Sequence, residues 1–182
     1  MTSADVDSPS NRSGCGYDGG SPNDVPRRKV GLSDAAVATD GSALVTSGLG
    51  SCLGVAVHHP SAGAGGLLHA MLPEASDHPG VDQKFVVQGV EALLAALADE
   101  GAPPDGLRAK LAGASEMIEF DRGPSAPSVG RRNVEAAERV LAANDVPVVA
   151  ADTGGHRGRS LRFDTADGRL RVAYAGGDTR VL

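Results

Sequence analysis

The sequence predicts an α+β fold in which helices pack over sheets of short strands. Three observations support this class. Segments of strand length outnumber helical ones, most of them follow one another across turn residues, and apolar residues recur at helical spacing in only two places. The chain has 182 residues, of which 41% are hydrophobic, and this is enough for one domain with its own core.

The first 28 residues differ in composition from the rest. They are rich in Ser, Asp, Asn, Gly and Pro and hold almost no large apolar side chain, so burial cannot offset the entropy lost on ordering. We therefore expect a disordered tail over residues 1–28 and a folded domain over residues 29–182. Cys15 lies in this tail between two glycines, and we interpret it as an exposed thiol without a fixed geometry.

The first half of the domain contains two pairs of strand-like segments. Apolar runs at 35–38 and 43–45 flank an Asp-Gly turn signal, which predicts two strands joined by a turn. The segments 53–58 and 65–71 flank a run with Pro, Ser and Gly, which predicts a β-hairpin.

The second half alternates helices and strands. Apolar residues recur at helical spacing over 83–100 and 131–144, which predicts two helices. Asp167-Gly168 is a strong hairpin turn signal. The strands predicted in this half cover 108–112, 147–151, 161–163 and 170–174.

Charge and composition exclude several classes of function. Lys and Arg total 17 while Asp and Glu total 23, so the net charge of −6 provides no cationic surface for nucleic acid or anionic lipid. No segment approaches the roughly 20 apolar residues of a membrane span, and the first residues do not resemble a signal peptide. We expect a cytoplasmic protein that neither binds nucleic acid nor inserts into a membrane. The two cysteines are too few for a disulfide framework.

Cys52 is the candidate nucleophile. It follows the run TSGLGS at 46–51, in which a bend at the glycines would present successive backbone N–H groups beside the thiol. Such N–H groups stabilise the oxyanion of an acyl-transfer reaction. The plainer alternative is a small buried cysteine next to a tight turn.

His69 is the candidate base. If 53–58 and 65–71 pair across residues 59–64, Cys52 faces Met71, and His69 lies one diagonal step away on the same face. An imidazole beside a thiol would lower the thiol pKa and favour a thiolate near neutral pH. The alternative is a core histidine whose ring nitrogen is bonded to a carbonyl group.

Thr46 is the candidate that orients this base. It stands six residues before Cys52, at the end of the preceding predicted strand. Its hydroxyl is suited to holding the imidazole in the productive tautomer. Threonine is common in strands, so the spacing alone gives weak support.

Together these residues resemble the signature of the CheD family of chemoreceptor glutamine deamidases. The resemblance rests on TSGLGSC at 46–52 and HAMLP at 69–73, and it continues through KLAGA at 110–114, VGRRNV at 129–134 and DTGGHRGRS at 152–160. It covers about residues 29–174. The fold that it implies is an α/β sandwich of mixed sheets flanked by helices, related to the catalytic domain of cytotoxic necrotizing factor toxins.

The resemblance also implies an activity and a site. The activity is hydrolysis of glutamine side chains to glutamate in the cytoplasmic helices of chemoreceptors, with a CheC-type phosphatase as regulatory partner. It implies no metal and no organic cofactor, and we interpret His58, His59 and His78 as exposed turn residues rather than ligands. The implied catalytic residues are Cys52, His69 and Thr46, and the implied substrate and oxyanion residues are Gly50, Ser51 and Arg159.

Two other classes of function are compatible with the residues. A Cys-His pair does not encode its substrate, so a thiol hydrolase of another specificity is one alternative. The other is a binding protein that acts chiefly on a CheC-type phosphatase and has weak catalysis. The intact set Thr46, Cys52 and His69 argues against the second alternative.

Overall fold

The computed structural model describes residues 25–75, 81–116 and 127–182, which form ten strands and two α-helices. The helices are α1 (Val86–Asp99), preceded by a 3-10 turn at Asp82–Lys84, and α2 (Val129–Ala143). The strands are β1 (Arg27–Lys29), β2 (Asp34–Ala38), β3 (Ala43–Leu49), β4 (Leu53–His59), β5 (Ala64–Ala70), β6 (Arg108–Gly113), β7 (Val148–Thr153), β8 (Arg159–Asp164), β9 (Arg169–Tyr174) and β10 (Thr179–Val181).

The strands form two five-stranded sheets. Sheet A has the order β1-β3-β8-β9-β10, and sheet B has the order β2-β5-β4-β6-β7. Each sheet is mixed, because β1 runs parallel to β3 and β6 runs parallel to β7, while the other neighbours are antiparallel. The α+β class with mixed sheets is therefore confirmed.

Both helices pack on sheet B. Helix α1 contacts β2 and β5, and α2 contacts β4, β6 and β7. Neither helix in the described part of the chain is long and apolar enough to cross a membrane. The molecule therefore has three layers, namely sheet A, sheet B and the helices.

One apolar layer fills the space between sheet A and sheet B, and a second fills the space between sheet B and the helices. The pleat of β4 shows why: Leu53, Val55 and Val57 point toward the helices, whereas Ala56 points toward sheet A. Among the residues that the structure describes, Phe163 is the largest fully buried side chain, and almost all others in the core are Val, Leu and Ala. Residues of β4 and β5 that face sheet A therefore lie at the centre of the sandwich.

The predicted hairpin of β4 and β5 is confirmed, including its register. Leu53 pairs with Ala70 and Gly54 pairs with His69, as expected from pairing across residues 59–64. The actual loop is shorter, because His59 and Ala64 also pair.

The two strands predicted on either side of the Asp-Gly turn are confirmed, whereas the predicted tail needs one correction. The strands β2 and β3 are adjacent in sequence but lie in different sheets, so the turn between them carries the chain from sheet B to sheet A. Disorder up to residue 28 is wrong for Arg27 and Arg28, because these residues pair with β3 as part of β1. Cys15 and His78 lie outside the described residues.

Candidate active site

Thr46 and His69 meet across the space between the two sheets. Thr46 belongs to β3 of sheet A and His69 to β5 of sheet B, yet Thr46 Oγ1 is 2.8 Å from His69 Nδ1. Both side chains are buried, with 4% and 2% of their surface exposed. The other ring nitrogen, His69 Nε2, is buried and has no hydrogen-bond partner among the described residues.

The missing side chain of Gly54 lets the sheets approach at this point. Gly54 is opposite His69 in sheet B, and Leu161 is opposite Thr46 in sheet A. A Cβ atom on Gly54 would overlap Leu161 Cδ1 and would lie 3.1 Å from Leu49 Cδ2. The facing sheet fills the space beside Gly54, and this close packing brings Thr46 within reach of His69.

Cys52 lies in the connection between β3 and β4, where the chain passes from sheet A to sheet B. Its side chain is half-buried. Every carbonyl group of this connection accepts a hydrogen bond. Gly50 O accepts from Ser115 N at 2.8 Å, Ser51 O from Asn133 Nδ2 at 3.0 Å, and Cys52 O from Ala114 N at 2.7 Å.

The N–H groups of this connection contrast with its carbonyl groups. Within the described part of the chain, the N–H groups of Gly50 and Ser51 donate to no backbone or side-chain acceptor, and the Cys52 N–H contacts only its own thiol. The connection is therefore anchored through its oxygens while the donors of Gly50 and Ser51 stay unused. Unused N–H groups beside a thiol are what the oxyanion of an acyl-transfer reaction needs.

Cys52 and His69 share one end of the sandwich but are not hydrogen-bonded to each other in this structure. Burial raises the pKa of the Cys52 thiol above its ordinary value, and the residue's own backbone N–H offsets this only in part. Burial also lowers the pKa of His69. The expectation that the imidazole lowers the thiol pKa is therefore wrong for this state, in which both groups are neutral near neutral pH.

Several buried polar atoms without partners belong to residues that contact the Cys52 connection or the candidate base. Within residues 25–75, 81–116 and 127–182 these side-chain atoms are His69 Nε2, Ser115 Oγ, Asn133 Oδ1 and Arg132 Nε. Ser115 and Asn133 each bond the Cys52 connection through another atom. Most buried polar groups in proteins are paired, so these atoms are exceptions beside the candidate nucleophile.

Sequence reasoning did not assign a role to Ser115 or Asn133. Serine and asparagine are common, and neither shows a spacing that points to catalysis. The signal available for Asn133 was its place in VGRRNV at 129–134, one of the segments that resemble the CheD family.

Arg159, predicted at the substrate site, is buried in a network of its own. Its Nε atom donates to Asp152 Oδ1 at 2.9 Å, and its terminal nitrogens donate to Gly154 O and Arg157 O. Burial would raise the pKa of Asp152, but hydrogen bonds from Tyr174 and Arg159 outweigh it, and the pKa is lowered. This geometry gives Arg159 a role in holding the loop at 153–158, and its predicted role at the substrate site stays a prediction.

That loop connects Arg159 to the Cys52 connection through backbone hydrogen bonds. Gly154 N donates to Gly113 O at 3.0 Å, and Glu116 N donates to Gly155 O at 2.8 Å. The segment 113–116 in turn provides the N–H groups that bond Gly50 O and Cys52 O. Arg159 itself pairs with Leu49 at the end of β3, directly before the connection that carries Cys52.

His58 and His59 are not exposed turn residues. Both lie in β4 and are buried, with 9% and 5% of their surface exposed. His58 Nε2 bonds Thr165 O at 3.0 Å, and His59 bonds Asp105 O and Ala62 N. The strand is one residue longer than predicted, so His59 as well as His58 is part of the sheet.

The fold and this site define a class of protein: a sandwich of two mixed sheets that gathers a thiol, an imidazole and a hydroxyl at one end. Comparison with known sequences identifies the family to which the chain belongs. The sequence model for CheD, described as CheD chemotactic sensory transduction, matches residues 71–174. This chain belongs to the CheD family.

Relatives extend the match toward the candidate site. A "Probable chemoreceptor glutamine deamidase CheD" of Haloarcula marismortui is 40% identical over 157 residues, which cover 86% of this chain and 90% of the relative. That coverage necessarily includes 46–69. A CheD of Caldanaerobacter subterraneus subsp. tengcongensis is 40% identical over 81% of this chain and 93% of the relative. A "CheD 2" of Geobacter metallireducens is 42% identical over 79% of this chain and 90% of the relative.

A solved structure supports the fold. The crystal structure of a Neisseria meningitidis protein of the DUF152 family superposes with a TM-score of 0.52 at 16% sequence identity. The match covers 80% of this chain and 73% of that one. At this identity the likeness concerns the fold alone. The relation to cytotoxic necrotizing factor toxins stays a prediction.

Proposed function

We propose that this chain hydrolyses glutamine side chains of chemoreceptors to glutamate, with Cys52 as nucleophile, His69 as general base and Thr46 as the residue that orients it. Its relatives carry the name chemoreceptor glutamine deamidase. The observation that supports the catalytic roles is the 2.8 Å contact between Thr46 Oγ1 and His69 Nδ1. It leaves Nε2, the nitrogen without a partner, at the end of the sandwich where Cys52 lies.

In the first half of this reaction, His69 Nδ1–H donates to Thr46 Oγ1, so the Nε2 lone pair accepts the proton of the Cys52 thiol as the substrate binds. The thiolate attacks the carboxamide carbon, and the C=O electron pair moves onto oxygen. The N–H groups of Gly50 and Ser51, which have no acceptor among the described residues, would stabilise this oxyanion.

The intermediate then collapses. The C–N bond breaks, and the nitrogen takes the proton from His69 Nε2 and leaves as ammonia, which gives a thioester on Cys52. His69 next removes a proton from a water molecule that attacks the thioester carbon. The C–S bond breaks, the sulfur regains its proton, and glutamate is released. Each step uses groups of the chain, the substrate and water.

The neutral state of the free site fits this scheme. A thiol whose pKa is raised by burial is largely protonated near neutral pH, and an imidazole whose pKa is lowered by burial is largely an unprotonated base. The proton therefore moves at the moment of attack. This arrangement protects Cys52 from reagents in the absence of substrate.

The partners and location follow the same proposal. The substrate is a chemoreceptor helix in the cytoplasm, and a CheC-type phosphatase regulates the enzyme by occupying the surface around Cys52, His69 and the loop at 153–158. The half-buried thiol and the exposed His156 and Arg157 of the loop support a site that protein partners can reach.

The test is peptide mapping of a chemoreceptor cytoplasmic fragment after incubation with the protein. We expect amide-to-acid conversion at specific glutamines together with release of ammonia. Cys52→Ala should abolish both while the thermal midpoint stays near that of the wild type, and Cys15→Ala should change neither. Undiminished conversion by Cys52→Ala would remove Cys52 from the mechanism.

The regulatory part has its own test. Titrating a CheC-type phosphatase into the assay should lower the rate of receptor deamidation, because both proteins would need the same surface. A ternary complex with full turnover would show that the two surfaces are separate.

A further inference from the structure

Asn133 joins two chain segments that flank the candidate catalytic pair. Its side chain is fully buried, and Nδ2 donates to Ser51 O at 3.0 Å and to Met71 O at 3.0 Å. Ser51 immediately precedes Cys52, and Met71 follows His69 by two residues. An asparagine amide has two N–H hydrogens, and both are used here. The two carbonyl partners also fix which end of the amide carries nitrogen, since only nitrogen can donate to both.

The position of this amide coincides with the end of the β4–β5 ladder. The last paired residues of the two strands are Leu53 and Ala70. Beyond them the backbones of Cys52 and Met71 have no ladder bond to each other. Asn133 takes the place of the ladder there by bonding Ser51 O, two residues before Leu53, and Met71 O, one residue after Ala70, and it holds the open end of the hairpin together.

Helix α2 is placed to deliver this side chain. Ser128, which directly precedes the helix, caps it because its Oγ atom accepts a hydrogen bond from Arg131 N. One turn before Asn133, Gly130 lies so close to the segment after β6 that a Cβ atom would be 2.5 Å from Ala114 O. The helix thus approaches the segment that also bonds Cys52 O, and Asn133 reaches the same connection from the other side.

We propose that Asn133 is a positioning residue that sets the separation between the Cys52 thiol and the His69 imidazole. This inference rests on the catalytic roles proposed above. The two groups come from different segments and share no hydrogen bond in the free protein, so their geometry depends on what ties the segments together. Without the amide, two buried carbonyl groups would be unpaired and the connection would be free to move away from β5.

The test compares three variants of the full chain on the receptor fragment. Asn133→Ala removes the amide, and Asn133→Asp keeps its shape but loses both donors. Val140→Ala is the control, because Val140 is a buried residue of the same helix that belongs to its apolar core and lies seven residues after Asn133. All are assayed at a temperature at which circular dichroism shows them fully folded.

We expect both Asn133 variants to lose kcat by about 10-fold to 100-fold, since a misplacement of the order of 1 Å can cost that much. KM should stay near the wild-type value, because Asn133 does not face solvent. Val140→Ala should keep its kcat even if its thermal midpoint falls further. As the pH is lowered, the carboxyl group of Asn133→Asp protonates and regains one donor. The activity of this variant, divided by that of the wild type at the same pH, should therefore rise.

Other results would overturn the proposal. Wild-type kcat in Asn133→Asp, or an equal loss in Val140→Ala, would show that the amide has no positional role. If neither Asn133 variant folds, Asn133 belongs to the folding core and the proposal also fails. Activity of Cys52→Ala in the same assay would instead refute the catalytic roles proposed above, so the two failures are distinguishable.

Discussion

Thr46 Oγ1 and His69 Nδ1 lie 2.8 Å apart although the two residues belong to different sheets. Because this contact crosses between the sheets, the geometry of the candidate site depends on how the two sheets pack. A hydroxyl on one sheet sets the orientation of an imidazole on the other, so any change in the distance between the sheets alters the candidate base.

Two replacements of Thr46 should distinguish the effect of its hydroxyl group from the effect of its side-chain volume. Thr46→Val keeps the shape but removes the bond to His69. The net value of such a bond is about 1.4 kcal/mol, so kcat should fall about 10-fold. Thr46→Ser should restore most of the rate. Steady-state kinetics on the receptor fragment would measure both, and equal rates for wild type and Thr46→Val would contradict an orienting role.

Gly54→Ala should disturb the approach of the sheets. The added methyl group would overlap Leu161 and crowd Leu49, so the free energy of unfolding should fall by about 1–3 kcal/mol, and activity should fall with it. Urea titration would measure the loss. Gly31→Ala is the matched control, because its Cβ would meet nothing nearer than 3.7 Å. A stable and fully active Gly54→Ala would mean that the sheets can separate without affecting the site.

The pH dependence of the thiol should differ from that of turnover. In a Cys15→Ala background, iodoacetamide should alkylate Cys52 slowly at neutral pH and faster only above pH 9.0, because burial raises the thiol pKa from that value. Turnover should stay high down to pH 6.5 and decline below it, because burial lowers the pKa of His69 from that value and only protonated His69 is inactive.

The same alkylation profile should persist in His69→Asn, since no contact with the imidazole lowers the thiol pKa in the free protein. Rapid alkylation of the wild type at neutral pH that is lost in His69→Asn would instead reveal a preformed thiolate–imidazolium pair.

Arg159→Ala should act through stability. It removes the partner of a buried carboxylate and the donors to two loop carbonyl groups, so unfolding should become easier by about 1–3 kcal/mol at neutral pH. The lowered pKa of Asp152 means that this contribution is present above the carboxyl's ordinary pKa of 3.8 and is lost as the pH falls further. The difference between wild type and Arg159→Ala should therefore shrink in acid.

Kinetics provide the decisive readout for Arg159. If Arg159→Ala raised KM severalfold without any loss of stability, Arg159 would have to contact the substrate. Arg159→Lys should be intermediate, because lysine keeps the charge but not the forked set of donors.

Local patterns in the sequence were sufficient for most elements and for the hairpin that carries His69. Strand alternation, helical spacing and turn residues act over a few residues, and the register of β4 and β5 follows from the length of one short loop. The pairing of Gly54 with His69 was therefore predictable, as was the presence of Cys52 at the same end.

The placement of β2 and β3 in separate sheets was beyond such patterns. A turn signal at residues 40–41 is equally compatible with a hairpin and with a crossing between sheets, because it depends only on local backbone conformation. Which sheet a strand joins depends on the sum of its distant contacts, here those of β3 with β8.

The sequence by itself was sufficient to predict the composition of the core, most of the helices and strands, and Cys52, His69 and Thr46 as the candidate catalytic set. Only the tertiary structure decided that Thr46 approaches His69 from the other sheet, that Arg159 is buried with Asp152, and that Asn133 ties the Cys52 connection to β5. These contacts join residues far apart in the chain. Burial then sets the thiol and imidazole pKa values, because desolvation depends on all the layers packed around a group.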